Sequence, residues 1–510
     1  MRFWRWYSVI LGALAMWMAY PPINIGWFAV LGVALILAGL VHASLRQAFL
    51  LGFVASTLFF LMLLKWLTIV GLDAWVLLSL VCSVWFGLMG VGVALVSRTR
   101  VWPVIVPGLW IAQEWIRGTW PFGGFPWGTL AFSQVETSVG RASTIVGMLG
   151  TSGWVVLCAS VAVLALQRWI ASERSKAIQC GVAFFILLTI PLAIPVPHVG
   201  DNVGGAASAP MAIVQGGTPA IGMNAFDVRR AVLDNHVRES MKLATAIDHG
   251  DATKPEFVLW PENASDLDPY RDQAAAAAIG VSARALGVPI LVGAVVRNSQ
   301  DPSTVLNAGI LWDPSRGAVQ EYDKKHPVPF GEYIPFRAQL APLIDRFDRI
   351  GHDFAAGTKS GIFNVGDIKS GNVICFEVAY NYVTDSLLDE GARVVTVQTN
   401  NATYAGTSQP TQQFMIERMR ALQMGRSVVV AATTGISAVI GPDGGVQASI
   451  GEGQTGSLVR SVALRGERNL GSYLGPFIVF LWRVGALIAV LVLTARALWA
   501  WRMRRNKVAQ

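Results

Sequence analysis

A series of apolar segments, each near the length that crosses a hydrocarbon core, constrains this chain more than any other feature. They run at about 8–21, 26–41, 49–70, 75–97, 101–116, 151–168 and 178–196, and an eighth covers about 474–498. About 20 apolar residues span a bilayer as a helix, the form that satisfies its own backbone in lipid. The second and fifth are short by that measure. With 53% hydrophobic residues, 14% charged residues and a mean hydropathy of +0.48, an ordinary soluble protein is excluded. The first segment does not read as a cleavable signal peptide, because no small-residue cleavage site follows it and further spans come at once. The expected fold is a multi-pass α-helical membrane bundle of about eight spans with a globular domain between the seventh and eighth.

Lys and Arg total 40 against 32 Asp and Glu, a net charge of +8. A basic balance can serve nucleic acid, but here the charge lies mainly beside the apolar segments, so the lipid bilayer is the expected partner and nucleic acid is not. With the N-terminus in the cytoplasm, the short inner segments hold Arg2, Arg5, Arg46, Arg98, Arg100, Arg168, Arg174, Lys176, Arg502, Arg504, Arg505 and Lys507, and the short outer loops hold only Arg117 and Arg141. The positive-inside rule then places both termini in the cytoplasm and the globular domain outside it, as in a cytoplasmic (inner) membrane protein. ATP and reducing cofactors are scarce there, so chemistry in that domain must use energy already stored in a substrate. No cofactor is expected.

Residues 197–470 mix polar turns with short β-branched runs and Ala-rich helical patterns. Strands are expected at 211–215, 257–261, 289–295, 306–312, 371–376, 394–399, 427–432 and 437–441. Helices are expected at 225–247, 270–286, 380–389 and 410–424. This alternation argues for a layered α/β domain. The Gly/Ala/Ser stretch 200–209 reads as its linker. Three regions result: a membrane domain at 1–199, a catalytic domain at 200–470, and a final span with a basic tail at 471–510.

Three stretches of the domain carry chemistry. Trp260-Pro261-Glu262-Asn263 ends the strand Phe257-Val258-Leu259, and a carboxylate fixed by a turn suits a general base; taken alone, a surface Glu in a turn is the preferred reading. Tyr322-Asp323-Lys324-Lys325-His326 leads into a loop shaped by Pro327, Pro329 and Gly331, where a rigidly held ammonium can stabilise an oxyanion; a solvated basic turn is the plain alternative, preferred for Lys325. Gly371-Asn372-Val373-Ile374-Cys375-Phe376-Glu377 delivers a thiol at a turn before a helix, as other acyl-transfer enzymes deliver their nucleophiles. A neighbouring cation and that helix N-terminus would lower the thiol pKa. Of four cysteines, Cys82, Cys158 and Cys180 lie in apolar runs, so Cys375 has no disulfide partner in its domain and is either an inert core thiol or a nucleophile. His236, His249 and His352 lack metal-ligand spacing, and no metal is expected.

Taken together, Trp-Pro-Glu, a Lys some sixty residues on and Cys-x-Glu some fifty further resemble the nitrilase superfamily in order and spacing. That resemblance implies a Glu-Lys-Cys triad on an α-β-β-α sandwich. The loop from Glu114-Trp115-Ile116-Arg117 through Phe122-Gly123-Gly124-Phe125-Pro126-Trp127, and His326 through Glu332, narrow it: with seven spans, a nitrilase-like domain and one last span, the chain is similar to the apolipoprotein N-acyltransferase family over essentially its whole length. The resemblance implies Cys375 as nucleophile, Glu262 as general base and Lys324 as oxyanion stabiliser, with Glu332 and Glu377 as supporting carboxylates. It also implies a membrane phospholipid as acyl donor and a diacylglyceryl apolipoprotein as acceptor, joined through a thioacyl-enzyme. Substrate contacts are expected from Phe125, Trp127, Phe376, Asn400 and Tyr404. Two stretches depart from the family pattern: Phe376 stands where many members have Tyr, and Thr399-Asn400-Asn401-Ala402-Thr403-Tyr404 replaces a usual Ser-Asn-Asp-x-Trp-Phe.

Three rival readings remain at this level. A membrane-tethered amidase or nitrilase would keep the triad and pass the acyl group to water, but needs far less membrane than this bundle. A transporter or scaffold with a degenerate domain would need facing polar residues mid-membrane, of which the spans show few. A papain-like Cys375–His326 pair fits its Lys-containing context poorly.

Overall fold

The computed structural model describes residues 3–197, 208–224, 228, 230–349 and 351–508. Most of the expected linker, 200–207, lies outside them. The chain divides into two compact units, 1–195 with 469–510, and 196–468.

The first unit is helical. Its helices are α1 (Phe3–Met18), α2 (Trp27–Leu40), α3 (Leu45–Leu63), α4 (Leu72–Val96), α5 (Trp102–Arg117), α6 (Ser143–Ile170), α7 (Arg174–Thr189) and a last one, Leu470–Val508. Each coincides with one of the apolar segments. Among the described residues, five helical stretches are long and apolar enough to cross a membrane by length and composition: α3, α4, α6 with the turn before it, α7 with the turn after it, and the last helix. The chain is a multi-pass membrane protein. Without a hydrophobic force between helices in lipid, close packing takes over. The α1–α2 crossing shows how: a Cβ added at Gly32 would stand 2.5 Å from the Met16 backbone nitrogen, and one at Gly12 would stand 2.8 Å from the Gly32 carbonyl oxygen.

The second unit is a sandwich of two six-stranded sheets. Its strands are β1 (Ser208–Gln215), β2 (Phe257–Leu259), β3 (Ile290–Arg297), β4 (Val305–Asp313), β5 (Gly317–Asp323), β6 (Ile362–Val365), β7 (Ile368–Ile374), β8 (Val394–Thr399), β9 (Val428–Ala432), β10 (Ser437–Ile440), β11 (Val446–Ile450) and β12 (Gly456–Ala463). The sheet orders are β12-β1-β2-β3-β4-β5 and β11-β10-β9-β8-β7-β6. In each, three central strands run parallel, β1–β3 and β7–β9, and antiparallel strands flank them. The period-two alternation of strands sorts the side chains. Met211, Ile213, Leu259 and Leu291 meet Ile374, Val429 and Val439 of the other sheet, forming the inner core. Their neighbours Ala212, Val214, Val258 and Ile290 face outward onto the helices α8 (Ala231–Asp248) and α9 (Gln273–Leu286), through Leu233, Leu243, Ile279 and Ala283. The helices Asn381–Asp389 and Gln409–Met424 contact β7 and β9 of the second sheet. The layers are therefore α-β-β-α.

Candidate active site

Three of the expected site residues stand just past the carboxyl ends of strands. Glu262 follows β2, Lys324 follows β5 and Cys375 follows β7. In open α/β sheets the crevice outside these ends is where polar chemistry collects.

Lys324 is 2% exposed and Glu262 is 4% exposed, so the charges there must be paired. The Lys324 Nζ stands 3.1 Å from Glu262 Oε1 and 3.0 Å from Glu332 Oε1. Asn307 of β4 donates from Nδ2 to both of those oxygens at 2.7 Å. Its backbone carbonyl accepts from the Lys324 N–H at 2.8 Å. Glu332 Oε2 accepts from the Val328 N–H at 2.7 Å, which closes the Pro-shaped loop on itself. Burial works to lower the Lys324 ammonium, but Glu262 and Glu332, with Cys375 and Glu377, more than offset it and hold the lysine well above its usual value. The lysine is locked as a cation.

Glu377 is fully buried and gathers two chain segments. It accepts from the Tyr322 hydroxyl at 3.0 and 2.9 Å, from the Lys325 and His326 N–H groups at 2.7 and 3.1 Å, and from the Ile374 N–H at 2.8 Å. It thereby ties the residues after Lys324 to the residue before Cys375.

Cys375 itself has φ +55°, a left-handed backbone that costs an ordinary residue about 1–2 kcal/mol. It opens the short turn Cys375–Ala379 between β7 and the helix Asn381–Asp389. Such strain persists only where the surroundings impose it; here Glu377, two residues on, accepts from the preceding N–H. Behind the thiol lies a polar chain. Gln413 Oε1 is 4.0 Å from Cys375 Sγ and accepts from Asn401 and Gln409, each at 3.1 Å. Gln413 Nε2 donates to Thr399 Oγ1 at 2.7 Å and to Glu417 Oε1 at 3.1 Å. Gln409, Gln413 and Glu417 are four residues apart and share one face of their helix.

The thiol differs from its expected state. Burial, then the charge of Glu262, push it up to about 12, and Lys324 offsets only part of that. The residue is half-buried overall, but protein closes around its sulfur. The resting site therefore holds a thiol that needs a base, not a ready thiolate. Alkylation of Cys375, in a background with the other three cysteines changed to serine, should keep climbing between pH 7 and 10. A free cysteine levels off above about 8.5. A plateau near pH 8 would show a thiolate instead.

Of the remaining expected residues, Phe376, Asn400 and Tyr404 lie beside the thiol, on which the Asn400 backbone N–H acts. Phe376 packs edge-on against Tyr380 at 5.3 Å. Asn400 accepts from the Ala402 N–H at 3.1 Å. Tyr404 lies close enough for the charges of Cys375 and Glu332 to act on its hydroxyl, which is pushed up to about 12 mainly by burial. Phe125 and Trp127 belong to the membrane unit. There Arg117 Nη1 donates to their carbonyls at 2.5 and 2.6 Å, and the Trp127 ring, 2% exposed, packs edge-on at Trp66. Trp127 is thus part of that unit's interior, while Trp115 and Trp120 are exposed as an interfacial belt requires. His326 lies tilted against Tyr380 at 3.8 Å, and its Nδ1 meets the Tyr382 hydroxyl at 2.8 Å, so that nitrogen is engaged by Tyr382. Burial lowers it to about 4, so it is neutral near pH 7. Asn307, Gln413 and Glu417 fall outside the stretches that the sequence singles out. They lie in otherwise ordinary strand and helix patterns, and nothing local marks them.

A carbon–nitrogen hydrolase fold carrying a buried Glu-Lys-Glu cluster and a Cys elbow, joined to a helical membrane unit, defines the class. Residues 12–161 match the apolipoprotein N-acyltransferase N-terminal domain, and residues 242–469 match the carbon-nitrogen hydrolase domain. An apolipoprotein N-acyltransferase from Mycolicibacterium smegmatis is 35% identical over 454 residues, covering 86% of this chain and 76% of that one. One from Gloeobacter violaceus is 28% identical, covering 86% and 84%. Among solved structures, an amidase from Nesterenkonia sp. matches 51% of this chain and 92% of its own, at 18% identity and a TM-score of 0.37. The chain belongs to the apolipoprotein N-acyltransferase family, acyltransferases of the nitrilase superfamily.

Proposed function

We propose that this chain transfers a fatty acyl group from a membrane phospholipid to the α-amino group of the S-diacylglyceryl cysteine that begins an apolipoprotein. The buried ammonium of Lys324, held between Glu262 and Glu332 beside a strained Cys375, is the observation that carries this reading within the family. In the first half-reaction Glu262 takes the Cys375 proton as sulfur attacks the ester carbonyl carbon. Lys324 stabilises the tetrahedral oxyanion. The ester C–O bond breaks, the leaving lysophospholipid oxygen receives the proton, and a thioester remains. In the second, the acceptor amine attacks that thioester, Glu262 takes a proton from nitrogen, and the C–S bond breaks to give the amide and the free thiol. A thioester acylates an amine without ATP. Asn400 and Tyr404 border the reacting carbonyl in this scheme. The neutral thiol fits a scheme in which proton removal accompanies attack.

Purified enzyme incubated with phospholipid alone should gain the mass of one acyl chain on the peptide containing Cys375. A diacylglyceryl-cysteine peptide should then clear that mass and emerge N-acylated. Transfer only when both substrates are present together, with no acyl-enzyme ever trapped, would overturn the two-step scheme.

The domain's place outside the cytoplasm, in a cytoplasmic membrane, rests on the Lys and Arg asymmetry. A reporter active only outside the cytoplasm should work when fused near Gly250 and stay silent after Lys507. The reverse pattern would invert the orientation.

A further inference from the structure

We infer that the polar cavity at the carboxyl end of β1 is a docking subsite for the polypeptide that follows the lipidated cysteine of the acceptor. This rests on the acyl-transfer reading above and extends it.

The cavity measures about 550 Å³ and is formed entirely within the sandwich unit, by the residues after β1, by α8, and by the turns at 405–406, 434 and 452–455. A volume of that order lies within the ~300–1,000 Å³ of small-ligand sites. Its walls are pinned. The buried Gln215 side chain donates from Nε2 to the carbonyls of Gly435, Gly451 and Gln454 at 3.2, 3.1 and 2.9 Å, and its Oε1 accepts from the Ser437 hydroxyl. Against this satisfied frame one group stands out. Thr434 is 5% exposed and lines the cavity, and its hydroxyl has no hydrogen-bond partner among the described residues. Buried polar groups are paired in the great majority of cases, so an exception in a cavity wall marks a place for a ligand atom.

Position ties the cavity to the reacting centre. The neighbouring Thr433 hydroxyl donates to the Glu262 carbonyl oxygen at 3.2 Å. On the other wall, Ala405 follows Tyr404 directly. Consecutive Cα atoms are about 3.8 Å apart, so both walls begin one residue from the site. A chain leaving the acceptor cysteine can enter here.

The lining selects the ligand class. It is mostly glycine backbone and short polar side chains, with Ile221 and Ala405 as its apolar side chains, too few to bury a fatty acyl chain. Its charged residues are Arg238 against Glu239 and Glu452, a net of −1, which disfavours a phosphate headgroup. Glu239 is already paired with Lys242 at 2.7 Å, and Glu452 accepts from the Gly406 N–H at 2.7 Å. Where a Cβ would stand on Gly406 or Gly453 there is open space, so a peptide backbone can come close to theirs. Neutral peptide groups, donating and accepting in turn, match such a wall.

The test compares two acceptors with full-length enzyme in mixed micelles: an S-diacylglyceryl cysteine amide, and the same cysteine followed by four uncharged residues. With the native chain, the longer acceptor should have a KM lower by about tenfold, the equivalent of one or two buried hydrogen bonds. In Thr434→Val, and separately in Asn235→Ala on the opposite wall, that ratio should fall toward one. A ratio of one in the native chain, or a ratio that survives in both variants, would overturn the subsite. So would variants that raise the KM for phospholipid by the same factor, because the cavity would then be a headgroup site. Absence of any acylated Cys375 in the native chain is a separate failure, since it removes the acyl-transfer reading on which the subsite depends.

Discussion

Replacing Cys375 with serine should abolish acyl-enzyme formation, with a loss of at least ~10³-fold in overall transfer. The loss comes from the state of the resting site. Its thiol is pushed up to about 12 by burial and by Glu262, and in the proposed scheme Glu262 takes the proton while sulfur attacks. A serine hydroxyl is a far weaker acid than a thiol, so the same base in the same place faces a much larger uphill transfer. Its oxygen is also smaller and would sit farther from the ester carbon on the same left-handed backbone. Changing Cys82, Cys158 or Cys180 to serine should leave most activity. Mass spectrometry for the acylated peptide and a phospholipid-release assay read both outcomes. A Cys375→Ser chain that still transfers, beside another cysteine variant that fails, would move the nucleophile elsewhere.

Lys324→Ala should slow both half-reactions, each by ~10²–10³, because each passes through a tetrahedral oxyanion and loss of one such donor typically costs that much. The same change should destabilise the domain. It leaves Glu262 and Glu332 buried on either side of Asn307 with no cation between them, and breaking a buried ion pair from one side costs about 3–5 kcal/mol. Lys324→Met separates the two effects, since it fills the space without the charge. Rates measured below the melting transition should stay low in the Met variant. Normal rates in a chain that merely melts early would make Lys324 a scaffold residue only.

The helical half was legible because lipid enforces a single rule. Every span must carry a long apolar run, and the eight runs read from the chain coincide with eight helices. What the runs did not show was how far each helix extends. The last one continues through Val508, past the end of its apolar segment, because Lys and Arg are good helix formers and nothing after Trp499 breaks the turn. The central strands of the sandwich were equally plain. Val394–Thr399 and Val428–Ala432 are buried on both faces and read as runs rich in β-branched residues. The strands that escaped notice, β5, β6, β11 and β12, are antiparallel flanking strands with one face toward solvent. Gly317–Asp323 carries Gln, Glu and Asp and only one β-branched residue, and pairing with β4 is what makes it a strand. That omission mattered, because β5 is the element that delivers Lys324.

For the site itself, the sequence alone determined which residues to watch. Trp-Pro-Glu, the lysine loop and Cys-x-Glu are local patterns, and each is fixed by a strand end or a turn that a reader can place. Tertiary structure alone decided which partners those residues have. Asn307 bridges two carboxylates from β4, Glu377 joins segments some fifty residues apart, and Gln413 reaches the thiol from a helix some forty residues later. The charge state of Cys375 belongs to the same group. A nearby cation predicts a lowered thiol, but desolvation by burial and the charge of Glu262 act more strongly, and both depend on what folds around the sulfur rather than on what precedes or follows it in the chain.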